Sequence, residues 1–297
     1  MCLLGDLHIE QAVQSLHGIL IKGSGLDAVI SRSELSTSGT STIVDVNDLK
    51  RTRYCIQVSA GAIYMLLKDA HMRSGSQVDV FEWLQEMSIT SQMCSYWKMI
   101  LFFQLQILVY VRSICSGNFI LYVQTLYAFL KWFFAMDKYN YARWATVYWF
   151  DLKVLMFTSP DVFNELMKGH FSFAITDKPF SRMGLDQLHE QNNKVIKGIS
   201  GATNLLNRND ESALNRWALS APDLSQMIGE FEDIFIGNPG KSEKHHECSP
   251  TFQQDFHKDV LKVKQNFMKN PFELKELTAV NNTIVVFDDH ILENIRK

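Results

Sequence analysis

The stretch from Met99 to Met136, MILFFQLQILVYVRSICSGNFILYVQTLYAFLKWFFAM, constrains the fold more than any other part of the chain, because it is apolar almost throughout. A membrane span needs about 20 consecutive apolar residues. Gln104, Gln106, Arg112, Gln124 and Lys131 interrupt this run, and Ser116-Gly117-Asn118 breaks it in two. Charge inside a bilayer is costly, so the run reads as two buried helices, Ser95 to Val111 and Asn118 to Met136, rather than as a membrane anchor.

Around this pair the hydrophobic spacing is helical nearly everywhere. Leu7 to Ile21 places Ala12, Val13, Leu16 and Leu20 on one face and stops at Gly23-Ser24-Gly25. Asp48 to His71 turns Ile56, Ala60, Ile63, Leu66 and Leu67 toward a core, and Val78 to Met87 carries Phe81, Trp83 and Leu84. Tyr139 to Phe157 is an aromatic helix, and Ser159-Pro160 opens another, with proline at its first position. Ser31 to Thr42 is a polar connection. Met1 to Leu4 and Phe171 to Thr176 read as short strands, and Thr283 to Phe287 as a third. Phe180 to Gly201 reads as one helix, followed by helices from Asp210 and from Ser220 and a last one from Phe252 to Met268. The Gly237 to Pro250 segment, GNPGKSEKHHECSP, is the clearest linker. The expected organisation is a body over 1–236 and a linker with helical tail over 237–297.

With 46% hydrophobic and 21% charged residues the chain has globular composition. A net charge of -3 speaks against a strongly basic nucleic-acid binder, although a local basic face fits within such a total. The five cysteines are dispersed with no CxxC pair, and the N-terminus lacks a basic n-region. Both fit a reducing, intracellular location, nuclear or cytoplasmic. No HExxH, GxSxG or Walker loop occurs, and no small-molecule cofactor is implied.

Two places carry candidate chemistry. In Gly5-Asp6-Leu7-His8-Ile9-Glu10, Asp6 is either the cap of the following helix or an acid at the end of a strand, where nuclease-like cores hold metal. In the 180–201 helix, Asp186, His189, Glu190, Asn193 and Lys197 form the polar side. Asp186 and Glu190 are four apart and stack. Carboxylates converging on a scissile phosphate are what two-metal phosphoryl transfer requires, so Asp6 and Glu190 are the candidate catalytic residues. With His189 they are also the candidate metal ligands, Mg²⁺ being the ion expected of an active site. Lys197 is a candidate phosphate contact beside the Gly198 to Gly201 turn. The competing reading is a solvated helix on which Glu190 pairs with Lys194. The aromatic block from Trp132 to Phe150 reads as core, with Arg143 either a buried partner within it or stacked on Trp144, and a weak candidate for substrate binding. His245-His246-Glu247-Cys248 crowds metal ligands into the linker, where adjacent histidines suit a tetrahedral site poorly.

The blocks MDKYNYARWATVYWFDL and FSRMGLDQLHEQNNKVIKGISGATNLLNRNDESALNRWALSAPDLSQMIGEFE resemble a transposon-derived family widespread in invertebrate genomes. GDLHIEQAVQSLHGILIKGSGLD and HHECSPTFQQDFHKDVL extend the likeness over nearly the whole chain. Asp186, His189, Glu190 and Asn193, with Tyr141-Ala142-Arg143-Trp144, carry its most specific parts; Ser200 and Asn204 depart from it. That family is in turn similar to fungal transposon-associated proteins to which an RNase H-like transposase fold is attributed.

The resemblance implies a mainly α protein: a partial α/β RNase H-like core with a short N-terminal strand and a large helical insertion from about Asp48 to Lys168. It implies an ancestor that cleaved or joined DNA with bound metal, Asp6 corresponding to the second acid and Glu190 to the helix-borne third. The segment for the first acid would lie before Met1. A three-acid site lacking one member holds its metals poorly, so the expectation is an inactive remnant, or a non-enzymatic helical interaction protein, with DNA as the possible partner.

Overall fold

A computed structural model describes residues 4–35, 48–191 and 250–274. Helices take 79% of them, and the fold is mainly α. The chain divides into two compact units, Met1–Asp186 together with Asp255–Lys297, and Gln187–Gln254. Of the second, residues 187–191 and 250–254 are described, and both stretches are helical.

The helices of the first unit in chain order are α1 (Asp6–Ile21), α2 (Leu26–Arg32), α3 (Leu49–Ser74), α4 (Val80–Thr90), α5 (Gln92–Ser116), α6 (Phe119–Ala135), α7 (Tyr139–Thr158) and α8 (Pro160–Glu165). Side-chain caps set four of these starts. Asp48 accepts the Arg51 amide at 3.1 Å, Asp79 that of Phe81 at 2.8 Å, Ser91 that of Cys94 at 3.1 Å and Asn118 that of Leu121 at 3.0 Å. Each fills one of the amides a helix start leaves unpaired, a contribution of about 1 kcal/mol. Gly117 ends α5 at φ 67°, a conformation open to glycine at little cost, and Asn118 starts α6 at once. The long apolar run is thereby folded back on itself.

α5 is the centre of the unit. It packs against α1, α3, α4 and α6, and also against a 3₁₀ turn at Pro271–Glu273. Phe103 of α5 lies 4.4 Å from the Trp132 ring and meets Phe129 edge-on at 6.3 Å, while Tyr110 packs on Tyr122 and Phe129. Burying each large apolar side chain is worth roughly 1.5–3 kcal/mol. Among the described residues α5 is the one helix long and apolar enough to cross a membrane by length and composition, and 44% of its apolar window is buried within the protein. Its mid-helix Gln104 is fully buried and hydrogen-bonded to other helices.

α9 (Pro250–Gln265) joins the first unit from Asp255 onward. Tyr54 of α3 donates to Asp259 at 2.6 Å, Lys264 pairs with Asp69 at 2.5 Å, and Val260 and Val263 are buried.

After α8 a five-residue π turn, Leu166–His170, leads to β1 (Ser172–Ala174), which pairs antiparallel with β2 (Arg182–Gly184), Ser172 opposite Gly184. These are the two strands among the described residues. β2 corrects the expectation of one helix from Phe180. The hairpin loop is closed by the Ser181 hydroxyl on the carbonyls of Thr176 and Lys178, at 2.6 and 2.7 Å, and Phe180 takes φ 61°. The helix therefore starts at residue 185. At the N-terminus, Gly5 is extended and Asp6 is already the first helical residue. α2, Leu26–Arg32, is an addition to the expected elements, and its last two residues overlap the start of the polar connection expected from Ser31. Residues 1–3, the helices and linker expected between 192 and 249, and the strand expected at 283–287 lie outside the described residues.

Candidate functional site

α1 is an amphipathic helix whose buried side is partly polar. Asp6, Glu10, Gln14 and His17 recur at intervals of four, four and three, so they stack along one face. They are 6%, 1%, 0% and 1% exposed. Burying such groups is costly without partners; neighbouring helices and the stripe itself supply several, while Gln14 Oε1, His17 Nδ1 and Gln104 Oε1 are buried with no hydrogen-bond partner among the described residues.

Glu10 is held by Arg53 of α3, which offers two guanidinium nitrogens to its two oxygens, and accepts the Gln14 amide at 2.7 Å. The His17 ring meets the Gln104 amide of α5 at 3.0 Å, and that amide also donates to Ser59 of α3 at 2.9 Å. Burial holds the His17 imidazole neutral, lowering its pKa to about 4.

At the N-terminal end the stripe meets residues from the far side of the sequence. Asp6 is not the cap, since it is already the first helical residue and Gly5 stands at the cap position. Asp186 does that work: its carboxylate accepts the Leu7 amide at 2.8 Å and the His8 amide at 3.2 Å. The Asp6 and Asp186 side chains close over Gly184. A Cβ on that glycine would lie 3.0 Å from Asp186 Oδ1 and 3.4 Å from Asp6 Oδ2, so no larger residue fits without displacing one of them.

Three tyrosines complete the surround. Tyr110 of α5 donates to the Asp6 carbonyl at 3.2 Å, and the Tyr122 and Tyr148 hydroxyls of α6 and α7 are 3.3 Å apart. Burial raises the Asp6 pKa to about 7, against the pull of a Tyr122 hydrogen bond and helped by the negative charges of Asp186 and Glu10. Beside these groups is a small cavity of about 90 Å³, lined by Leu4, Gly5, Asp6, Tyr148, Phe171, Leu185 and Asp186.

The other candidates are placed differently. His189 and Glu190 are exposed and belong to the second compact unit. Lys197, the glycine turn after it and the His245 to Cys248 cluster lie outside the described residues. Arg143 is exposed on α7, not a buried partner, with its guanidinium 4.9 Å from the centre of the Trp144 ring. Tyr110, Tyr122, Tyr148 and Arg53 were not anticipated. The signal available was the recurrence of Glu10, Gln14 and His17 beside an apolar face, which calls for polar partners on neighbouring helices.

Mg²⁺ takes oxygen ligands in near-octahedral geometry at about 2.0–2.1 Å. Burial raises the Asp6 pKa to about 7, so it is partly protonated near neutrality, and the Asp186 carboxylate is engaged by two amides. The pair as arranged does not fit a magnesium ion, and among the described residues no group of three or more His, Cys, Asp or Glu is placed to hold a metal.

Fold and site define a mainly α-helical protein with a buried polar stripe along its first helix, closed at one end by two adjoining carboxyl groups. Residues 68–297 match a family model described as a domain of unknown function, DUF8702, and the chain belongs to that family. No curated protein and no solved structure matches it.

Proposed function

We propose that this chain is a transposon-derived protein whose ancestor cut or joined DNA with bound metal ions, and which now acts by binding rather than by cleavage. In this reading its ancestral core is RNase H-like, with Asp6 and Glu190 descended from two of the three acids and Lys197 from a phosphate contact. The resemblance of the GDLH and HEQ-N blocks supports the descent. One observation supports the loss of catalysis. The carboxylate beside Asp6 is engaged in capping α1, and burial raises the Asp6 pKa to about 7, so a metal ion would have to displace a cap and compete with a proton.

Incubation of the full chain with supercoiled plasmid and Mg²⁺ or Mn²⁺ tests this. The expected result is no nicking above that of an Asp6→Asn control, and no metal-specific rise in melting temperature. Metal-dependent nicking that Asp6→Asn and Glu190→Gln each abolish would overturn it and restore an active nuclease.

A further inference from the structure

The outer side of the α6–α7 hairpin alternates rings and cations. α7 buries Ala142, Ala145, Tyr148, Leu152 and Leu155. At 3.6 residues per turn the opposite side carries Arg143, Phe150 and Phe157. Both phenylalanines face solvent, at 57% and 78% exposure. Toward α6, exposed Tyr127 packs on the Trp149 ring at 4.7 Å, and the Lys153 ammonium lies 5.0 Å from the centre of the same ring. The segment 118–158 holds four cations (Lys131, Lys138, Arg143, Lys153) and two acids (Asp137, Asp151), a local charge of +2 in a chain of net charge -3.

We propose that this face binds single-stranded nucleic acid, with bases stacked on Tyr127, Phe150 and Phe157 and phosphates paired with Arg143 and Lys153. The charge pattern selects this occupant over an apolar one. A purely apolar partner laid across the rings would strip water from Arg143 and Lys153 and leave both charges uncompensated. A phosphate backbone pairs them while the bases take the rings. A duplex keeps its base faces stacked inside and cannot use the rings in this way. The inference does not depend on the state of the acidic site, so its outcome is separate from that of the nicking assay.

The test is fluorescence anisotropy of a labelled oligothymidylate titrated with the full chain at two salt concentrations, with oligouridylate and duplex DNA as competitors. Phe150→Ala with Phe157→Ala should weaken binding about tenfold or more, since each stacked base contributes severalfold in affinity. Arg143→Gln with Lys153→Gln should lower the salt slope by roughly 0.7 for each phosphate pairing removed. All four positions are exposed, and unchanged circular dichroism confirms that the variants fold. Competition by both single strands supports the shared chemistry. The proposal fails if no binding is seen at low salt, if the variants bind as the wild type does, or if duplex competes equally. It also fails if the chain is a dimer that Phe150→Ala dissociates, for the face is then covered by a second copy.

Discussion

The Asp186 carboxylate caps α1 by taking the amide of Leu7, 179 residues earlier in the chain, at 2.8 Å. Capping is usually local, supplied by the residue just before the helix. Here Gly5 stands in that place and has no side chain to offer. The hairpin of β1 and β2 delivers the missing acceptor, and Gly184 leaves room for the Asp186 and Asp6 side chains to come together.

Removing that acceptor should therefore cost the first unit stability. Asp186→Ala leaves the amides of Leu7 and His8 without their partner, a loss of about 1–2 kcal/mol by the usual worth of a cap. Gly184→Ala should destabilise by a similar or larger amount, because its methyl would crowd Asp6 and Asp186 together. Urea unfolding of both variants measures this; midpoints equal to that of the wild type would mean that the contact contributes nothing.

Arg53 and Glu10 form the next rung of the stripe. Glu10 is almost wholly buried, so Arg53→Ala strands a carboxylate among helices and should destabilise by about 3–5 kcal/mol. Adding Glu10→Gln should recover much of that loss, since an amide is far cheaper to bury than an unpaired charge. A double variant no more stable than Arg53→Ala alone would show that the loss comes from packing of the arginine stem.

Asp6 and His17 should make stability depend on pH in opposite directions. The folded state keeps the Asp6 proton up to about pH 7, whereas an unfolded aspartate loses it near pH 4. Across that window the folded state binds more protons, so this group lowers stability as pH rises. Folded His17 stays neutral down to about pH 4, whereas the unfolded chain takes up a proton near 6.5. That group raises stability as pH climbs from about 4 to 6.5. The two slopes largely cancel in the wild type, and single variants unmask them. Asp6→Asn should be more stable at pH 6.5 than at 4.5 by about 2–3 kcal/mol relative to the wild-type difference, and His17→Gln less stable by a similar amount. Parallel pH profiles for all three proteins would refute both assignments.

Gln104 should behave as a core partner. Gln104→Leu leaves the His17 Nε2 and the Ser59 hydroxyl without the hydrogen bond each makes to its amide, and the expected loss is about 1–3 kcal/mol despite the gain in hydrophobicity. A leucine variant as stable as the wild type would mean that these polar contacts are dispensable.

The elements legible in the sequence are those fixed by near neighbours. Asp48, Ser91 and Asn118 cap helices that start within a residue of them, and Gly117 splits the apolar run where the chain does turn. α3, α6 and α7 accordingly keep closely to the hydrophobic spacing. Features that local pattern could not show were decided at long range. Residues 182–184 share helical spacing with the residues after them, yet pairing with Ser172–Ala174 draws them into a strand. Asp6 looked like a cap because it precedes a helix, and the cap is Asp186. Gln104 looked like an interruption of a greasy helix, and it is the link between α5, His17 and Ser59. In each case the deciding partner lies on another element, and spacing along one helix carries no trace of it.

The polar stripe on α1 also imposes an order of assembly. Its partners are spread along the chain: Arg53 lies 43 residues from Glu10, Gln104 lies 87 from His17, and Asp186 lies 179 from Leu7. During synthesis at roughly 5–20 residues per second, Asp186 arrives on the order of ten seconds or more after Leu7. Helix α1 is thus made well before its own contacts can be completed, and until then it carries acids and an imidazole that are safer in water than in a half-built core. Closing α1 onto the unit is in effect the step that registers whether the chain as far as the β1–β2 hairpin and Asp186 has been made.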